Sequence, residues 1–193
     1  MIEVEVKVKI EDRNTIEHRL EELAFKKGKL LCETDVYFDR ENGEFRKGDK
    51  ALRIRQYENL TLNEKVSCIT YKGPKLDQVS MTRKELEMKI EDGEMGIEIL
   101  KNLGFIPVQP VVKLRQYFHK ANVTACLDQV EGLGAYLELE IIVESEEKRE
   151  EALEHIMDLL TCLGYGKEDI IRTSYLSMLQ KKLYSSYMKK DVF

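Results

Sequence analysis

The chain has 193 residues, with 31 Lys and Arg against 36 Asp and Glu and a formal net charge of −5. Its 42% hydrophobic content can fill a core, which excludes intrinsic disorder, and no apolar run approaches the ~20 residues that cross a bilayer. The acidic balance argues against a general nucleic-acid or anionic-membrane binder, because such surfaces must be basic to release counterions; any anion site has to be a local cluster of cations.

Ile2, Val4, Val6, Val8 and Ile10 alternate with Glu3, Glu5, Lys7 and Lys9, the period of a strand with one apolar and one charged face. A helix follows. Asn14 and Glu17 are spaced as a capping box, Ile16, Leu20, Leu23 and Ala24 form the apolar stripe, and Gly28 is its stop. Further period-two segments run from Ala51 to Gln56, Val66 to Tyr71, Thr124 to Gln129 and Ala135 to Val143, making roughly eight strands joined mostly by short turns, the pattern of antiparallel pairing. Two helices close the chain. Ser145 caps the first, Glu146 and Glu147 complement its positive end, and Gly164 ends it. The second, predicted over 167–188, carries Ile171, Tyr175, Leu176, Leu179 and Leu183 on one side, and the stretch 181–193 is left either loose or docked as a lid. The acidic run from Glu144 to Glu154 reads as a solvated helix face.

Lys9-Ile10-Glu11-Asp12 recurs as Lys89-Ile90-Glu91-Asp92, and the same offset holds for Leu20/Leu100, Leu23/Leu103, Phe25/Phe105, Tyr37/Tyr117 and Phe38/Phe118. The register predicts an internally duplicated strand, helix, strand unit. Its second copy begins near 81 with a strand from Met81 to Ile90, continues in a helix from Gly93 to Leu103, and ends in a strand from Val111 to His119. Only three prolines occur, and no Ser/Gly-rich linker interrupts the chain, so 1–193 is expected to be one domain.

Strand after strand, charged residues stand two apart: Glu3/Glu5/Lys7, Arg53/Arg55, Arg83/Glu85/Glu87, Lys113/Arg115 and Glu138/Glu140. Any one strand could simply hold its charges in water. The set as a whole repeats Glu and Arg, which suit hard metal ions and bidentate phosphate contacts. The expected architecture is therefore an α+β fold: a closed antiparallel eight-stranded barrel with apolar faces outward to its helices and charged faces lining a tunnel. Five acids (Glu3, Glu5, Asp128, Glu138, Glu140) against six bases (Lys7, Arg53, Arg55, Lys72, Lys113, Arg115) leave one positive charge. A triphosphate with roughly four negative charges and two divalent cations would keep that tunnel near neutral.

Glu3-Val4-Glu5-Val6-Lys7 resembles the ExExK signature of the CYTH superfamily, the triphosphate tunnel metalloenzymes, which include class IV adenylyl cyclases and thiamine triphosphatases. The resemblance continues through Thr34-Asp35-Val36-Tyr37-Phe38-Asp39, Leu52-Arg53-Ile54-Arg55, Tyr71-Lys72-Gly73-Pro74 and Val112-Lys113-Leu114-Arg115. It closes with Asp128, Gly132-Leu133-Gly134, Glu138-Leu139-Glu140 and Ser174-Tyr175-Leu176, and so spans nearly the whole chain. It implies that Glu3, Glu5, Asp128, Glu138 and Glu140 hold Mg2+ or Mn2+, and that Lys7, Arg53, Arg55, Lys72, Lys113 and Arg115 cradle the phosphates and meet the charge that develops in the reaction. Arg83, Glu85 and Glu87 are implied as further lining, Arg83 standing where the first copy has the acid Glu3.

Tyr71-Lys72-Gly73-Pro74 and the spacing of Asp128 from Gly132-Leu133-Gly134 are more similar to the class IV cyclase branch, which implies conversion of ATP to cyclic AMP and pyrophosphate. A triphosphatase using nearly the same lining and a non-catalytic nucleotide or polyphosphate sensor stay open as alternatives. The resemblance also implies a possible homodimer. No P-loop, zinc spacing or serine or cysteine triad is present; Tyr37 and Tyr117 read as barrel packing, and His18 and His155 as helix surface. Cys32, Cys68, Cys126 and Cys162 form no CxxC pair and read as reduced thiols. With an amino terminus unlike a signal peptide, they predict a cytoplasmic protein without membrane or nucleic-acid partners.

Overall fold

Alternating apolar and charged residues give a strand two unlike faces, and eight such segments, with one two-residue strand beside them, join one antiparallel sheet in the computed structural model, which describes residues 1–60, 62 and 64–190. The strands are β1 (Ile2–Lys9), β2 (Lys26–Asp39), β3 (Ala51–Asn59), β4 (Glu64–Lys75), β5 (Arg83–Ile90), β6 (Ile106–Pro107), β7 (Val111–Lys120), β8 (Val123–Val130) and β9 (Gly134–Val143). Eight of them close a ring in the order β1, β9, β8, β7, β2, β3, β4, β5 and back to β1; the two-residue β6 pairs only with the end of β2. The ring is closed unevenly. β1 pairs with β9 from Ile2↔Val143 to Lys9↔Tyr136, but with β5 only at Ile2↔Lys84 and Glu3↔Arg83.

Because side chains alternate, closing the ring sends one set outward and the other inward. The outward set of the first half includes Val4, Val6, Val8, Leu137 and Leu139. It is covered by α1 (Arg13–Glu22) and α4 (Arg149–Cys162), which contribute Ile16, Leu20, Ile156 and Leu160. Leu20, Ile156 and Leu160 are all but fully buried, each contributing about 1.5–3 kcal/mol. On the other half α3 (Gly93–Asn102) sets Ile97 and Leu100 against Phe38, Leu52 and Ile54. The last helix, α5 (Tyr175–Lys190), puts Tyr175 and Leu179 against Val111, Val130 and Tyr136. No helix among the described residues is long and apolar enough to cross a membrane.

The duplication is visible at atomic detail. Asp12 and Asp92 cap α1 and α3, and each helix ends with a backbone N–H of Phe25 or Phe105 donating to Leu20 or Leu100. Between them stand Ala24 at φ 63° and Gly104 at φ 80°, the left-handed residue that turns the chain into its next strand.

Several expected boundaries move. The α1 cap is Asp12, not Asn14: the Asn14 N–H and the Thr15 hydroxyl both donate to its carboxylate. Gly28 does not stop α1; it lies inside β2, where an added Cβ would meet the His119 ring at 3.1 Å. Ser145 precedes a short 3-10 turn, Glu146–Lys148, without a side-chain cap bond, and α4 follows from Arg149. The segment 167–174 is not helical throughout. After a 3-10 turn at Lys167–Asp169, Ile170 bridges Val8 and the Ile171 N–H donates to the Lys7 carbonyl at 2.8 Å, so this stretch satisfies the free edge of β1 and delays the helix to Tyr175. The second-copy strand begins at Arg83, not Met81, although the Met81 N–H still bonds the Glu5 carbonyl. A short helix absent from the sequence reading, α2 (Glu44–Lys47), is held by Asp39, whose carboxylate accepts from the Phe45 and Arg46 N–H groups. The stretch 181–190 continues α5, and 191–193 lie outside the described residues.

Candidate active site

The inward faces enclose a cavity of about 970 Å³ that runs along the barrel, lined by side chains from every strand of the ring. All twelve residues singled out from the sequence as metal or phosphate ligands point into it or into its wall, and most are nearly buried despite their charge: Lys7 is 2% exposed, Asp128 1% and Lys113 4%. Charges at that depth are tolerated only if paired or awaiting a charged ligand.

On one side, cations and acids are already matched. Arg115 donates Nε to Asp128 Oδ1 at 2.6 Å and Nη2 to Asp128 Oδ2 at 2.5 Å, and Nη2 also donates to Glu138. Arg55 makes the same fork with Asp35, at 2.6 and 2.8 Å, and reaches Glu33 at 3.2 Å. Lys113 stands 3.2 Å from Glu33. Burial raises the Glu33 carboxyl, but Arg55 and Lys113 overcome it and hold the pKa down to about 2. Asp35 and Glu138 are likewise held well below the usual carboxylate range, Glu138 by Arg115 and Lys7 against its burial. The Arg53 Nε is buried without a hydrogen-bond partner among the described residues.

The opposite wall is acid-rich. In the β1–β9 ladder Glu5 lies directly across from Glu140, and Glu3 stands two residues along. Burial, then repulsion from Glu3 and Glu5 only partly offset by Lys72, pushes Glu140 up to about 8; burial and the Glu138 and Glu3 charges raise Glu5. Glu3 is raised by burial although it pairs with Lys72, which also lies 2.9 Å from Glu85. Among the described residues no three carboxylates converge closely enough to hold an ion as they stand. The chemistry of this donor set nonetheless fits a hard divalent cation: Glu3, Glu5 and Glu140 are neighbouring oxygen ligands that share Lys72 as their nearby counter-charge, so their negative charge is incompletely matched.

The structure brings in residues that the sequence reading left out of the ligand set. Glu33 and Asp35 are buried acids of β2 facing Lys113 and Arg53. Their alternation with Thr34 and Val36 was the available signal. With Glu85 and Arg83 counted, eight carboxylates meet seven cations, so the net positive charge inferred from the sequence becomes slightly negative. Glu87 accepts from the Thr70 hydroxyl at 2.9 Å, and Tyr117 donates its hydroxyl to Glu33 at 2.8 Å. Tyr37 and Tyr117 both line the cavity, the former 3.5 Å from Arg53.

A closed antiparallel barrel with an acid wall facing a field of lysines and arginines defines a class of protein, the charged-tunnel barrels. The chain belongs to the CYTH domain family, whose model matches residues 1–175. It is 43% identical over 178 residues to a Methanocaldococcus jannaschii protein named "Putative adenylate cyclase MJ0240", covering 92% of this chain and 98% of that one. The solved structure of the PH1819 protein from Pyrococcus horikoshii is similar at 36% identity and a TM-score of 0.85, covering 93% of this chain and 99% of that chain. HpAC1 of Hippeastrum, for which a dominant triphosphatase activity is described, shares the fold at 18% identity and a TM-score of 0.64, over 93% of this chain and 96% of its own.

Proposed function

We propose that this chain is a single-domain, metal-dependent enzyme acting on a triphosphate, and that it is a class IV adenylyl cyclase converting ATP to cyclic AMP and pyrophosphate. The observation that carries the reading is one tunnel in which the acids Glu3, Glu5 and Glu140 share too little positive charge while cations from Lys7 to Arg53 stand along the same lining. A bare polyanion suits the second and a divalent cation the first; together they fill the tunnel near neutrality.

In this reading Glu3, Glu5, Glu138, Glu140 and Asp128 hold Mg2+ or Mn2+, which when bound neutralises the polyphosphate and acidifies the attacking ribose hydroxyl. The chain's own part is to bind and orient. Lys7, Arg53, Lys72 and Lys113, with Arg83 at the edge, meet phosphate oxygens, while Arg55 and Arg115, forked onto Asp35 and Asp128, keep the cradle rigid. One phosphorus–oxygen bond forms at the α-phosphorus as the bond to pyrophosphate breaks, the proton of the attacking hydroxyl passes to solvent, and negative charge gathers on the leaving group where these cations are already oriented.

Hydrolysis of the same class of substrate is the second reading, supported by the activity described for HpAC1. Incubating the pure protein with Mg2+ or Mn2+ and, separately, ATP, thiamine triphosphate and tripolyphosphate decides among them. Cyclic AMP with pyrophosphate supports the cyclase, orthophosphate release the triphosphatase, and binding without turnover a sensor. The four free cysteines suit a reducing cytoplasm. Pairing with a second copy has an apolar surface to use: Leu86 and Met88 on β5 and Met95 and Ile99 on α3 are all more than half exposed. Light scattering at two protein concentrations tests it, and a monomer throughout would end that part of the proposal.

A further inference from the structure

Tyr175 opens α5 and lines the tunnel cavity, packed against the inward-facing side of β7, β8 and β9. Its hydroxyl donates to Asp128 Oδ2 at 2.9 Å, its ring face lies 4.3 Å from Lys7 Nζ and 5.6 Å from Lys113 Nζ, and it meets the Tyr136 ring edge-on at 5.1 Å. A helix that needed only an apolar foot on β8 and β9 could use a leucine here, as it does one turn later with Leu179. An aromatic ring adds what leucine lacks, a negative face that attracts a cation.

Lys7 is where that matters. Its ammonium is almost wholly buried, and its ion pair with Glu138, at 3.5 Å, is longer than a hydrogen bond. A flexible lysine paired with Glu138, with the Glu5 carboxylate also within its field, would be expected to collapse onto one of them. Here the ring supplies a second attraction that holds the ammonium off Glu138, and the Asp128 hydrogen bond fixes where the ring sits.

We propose that Tyr175 is a positioning residue for triphosphate binding: by holding the Lys7 ammonium over its ring, it keeps that charge from pairing fully with Glu138 and leaves it available to the polyanion. This rests on the triphosphate reading given above. Titration calorimetry with magnesium tripolyphosphate tests it on the wild type, Lys7→Gln, Tyr175→Leu, the double variant and Tyr175→Phe, each checked by thermal melting. Tyr175→Leu is expected to weaken binding about tenfold, and Tyr175→Phe, which keeps the ring, to stay within about threefold of wild type. In the Lys7→Gln background Tyr175→Leu should change binding by less than about twofold, because the group it positions is gone.

A purely structural tyrosine would give equal losses in both backgrounds; that result, or a phenylalanine no better than leucine, overturns the inference. Should the leucine variant lose its cooperative melt, Tyr175→Met runs the same cycle. A wild type that binds no triphosphate removes the underlying reading and this inference together, whereas a binding wild type with additive losses removes the inference alone.

Discussion

Glu33 and Lys113 face each other directly in the β2–β7 ladder, with Nζ 3.2 Å from Oε2, and they are also equivalent positions of the two half-repeats. Glu3 and Arg83 stand in the same relation between β1 and β5. A two-fold axis between antiparallel strands makes each such position face its own copy, so an exact repeat would have set like charges against one another. Divergence into opposite charges removed that conflict at both positions: Glu33 pairs with Lys113, while Glu3 pairs with Lys72 and Arg83 reaches toward Asp49. The tunnel's electrostatics thus depend on where the copies differ.

Glu33→Gln leaves Arg55 and Lys113 short of a buried counter-charge. We expect a loss of about 3 kcal/mol at pH 7, read by urea unfolding. Since the folded-state pKa of Glu33 is lowered to about 2 from the usual 4.5, its stabilisation is present above 4.5 and fades as pH falls toward 2. The gap between variant and wild type should therefore shrink over that window. A gap that stays constant from pH 7 to pH 3 contradicts the assignment.

Glu140→Gln removes a carboxyl that burial and the neighbouring Glu3 and Glu5 push up to about 8, and with it the cost of keeping an acid opposite Glu5. Without metal the variant should melt about 2–4 °C higher than wild type, the shift that corresponds to about 1 kcal/mol in a chain of this size. Adding millimolar Mn2+ or Mg2+ should raise the wild-type melting temperature and leave the variant almost unmoved. Equal metal responses would place the ion elsewhere.

Glu138→Gln keeps the shape of a side chain that accepts from Arg115 and faces Lys7. Metal-dependent turnover should fall by about 10²-fold or more, while circular dichroism and a cooperative melt are retained. Wild-type rates in this variant would refute its assigned role.

Asp12→Ala and Asp92→Ala remove equivalent caps from α1 and α3. Each should cost about 1 kcal/mol, measurable by denaturant unfolding, and the costs should add because the helices cover opposite halves of the barrel. A cost at one site only would show that the copies no longer carry equal weight.

Much of this was legible in the chain itself. Period-two alternation in Ile2 to Ile10 or Ala135 to Val143 needs only the geometry of a pleated strand, and the repeat that pairs Lys9 with Lys89 is a matter of counting. Helix ends were less legible. Asp12 against Asn14, and Tyr175 against Lys167, turned on which backbone groups find partners elsewhere: Ile170 and Ile171 go to the edge of β1 only because that edge is there. Glu33 and Asp35 were passed over because a pattern tells which face a side chain takes, whereas their partners Lys113 and Arg55 come from strands distant in sequence.

The amino-acid order by itself determined the alternation, the repeat and the set of charged residues sharing one face, because these follow from local geometry. Ring closure decided the rest: which acids are neutralised by arginine and which, like Glu140, are set mainly among other acids. Pairing energies depend on distances of a few ångströms and on exclusion of water, and both are set only when strands remote in the chain enclose a common space.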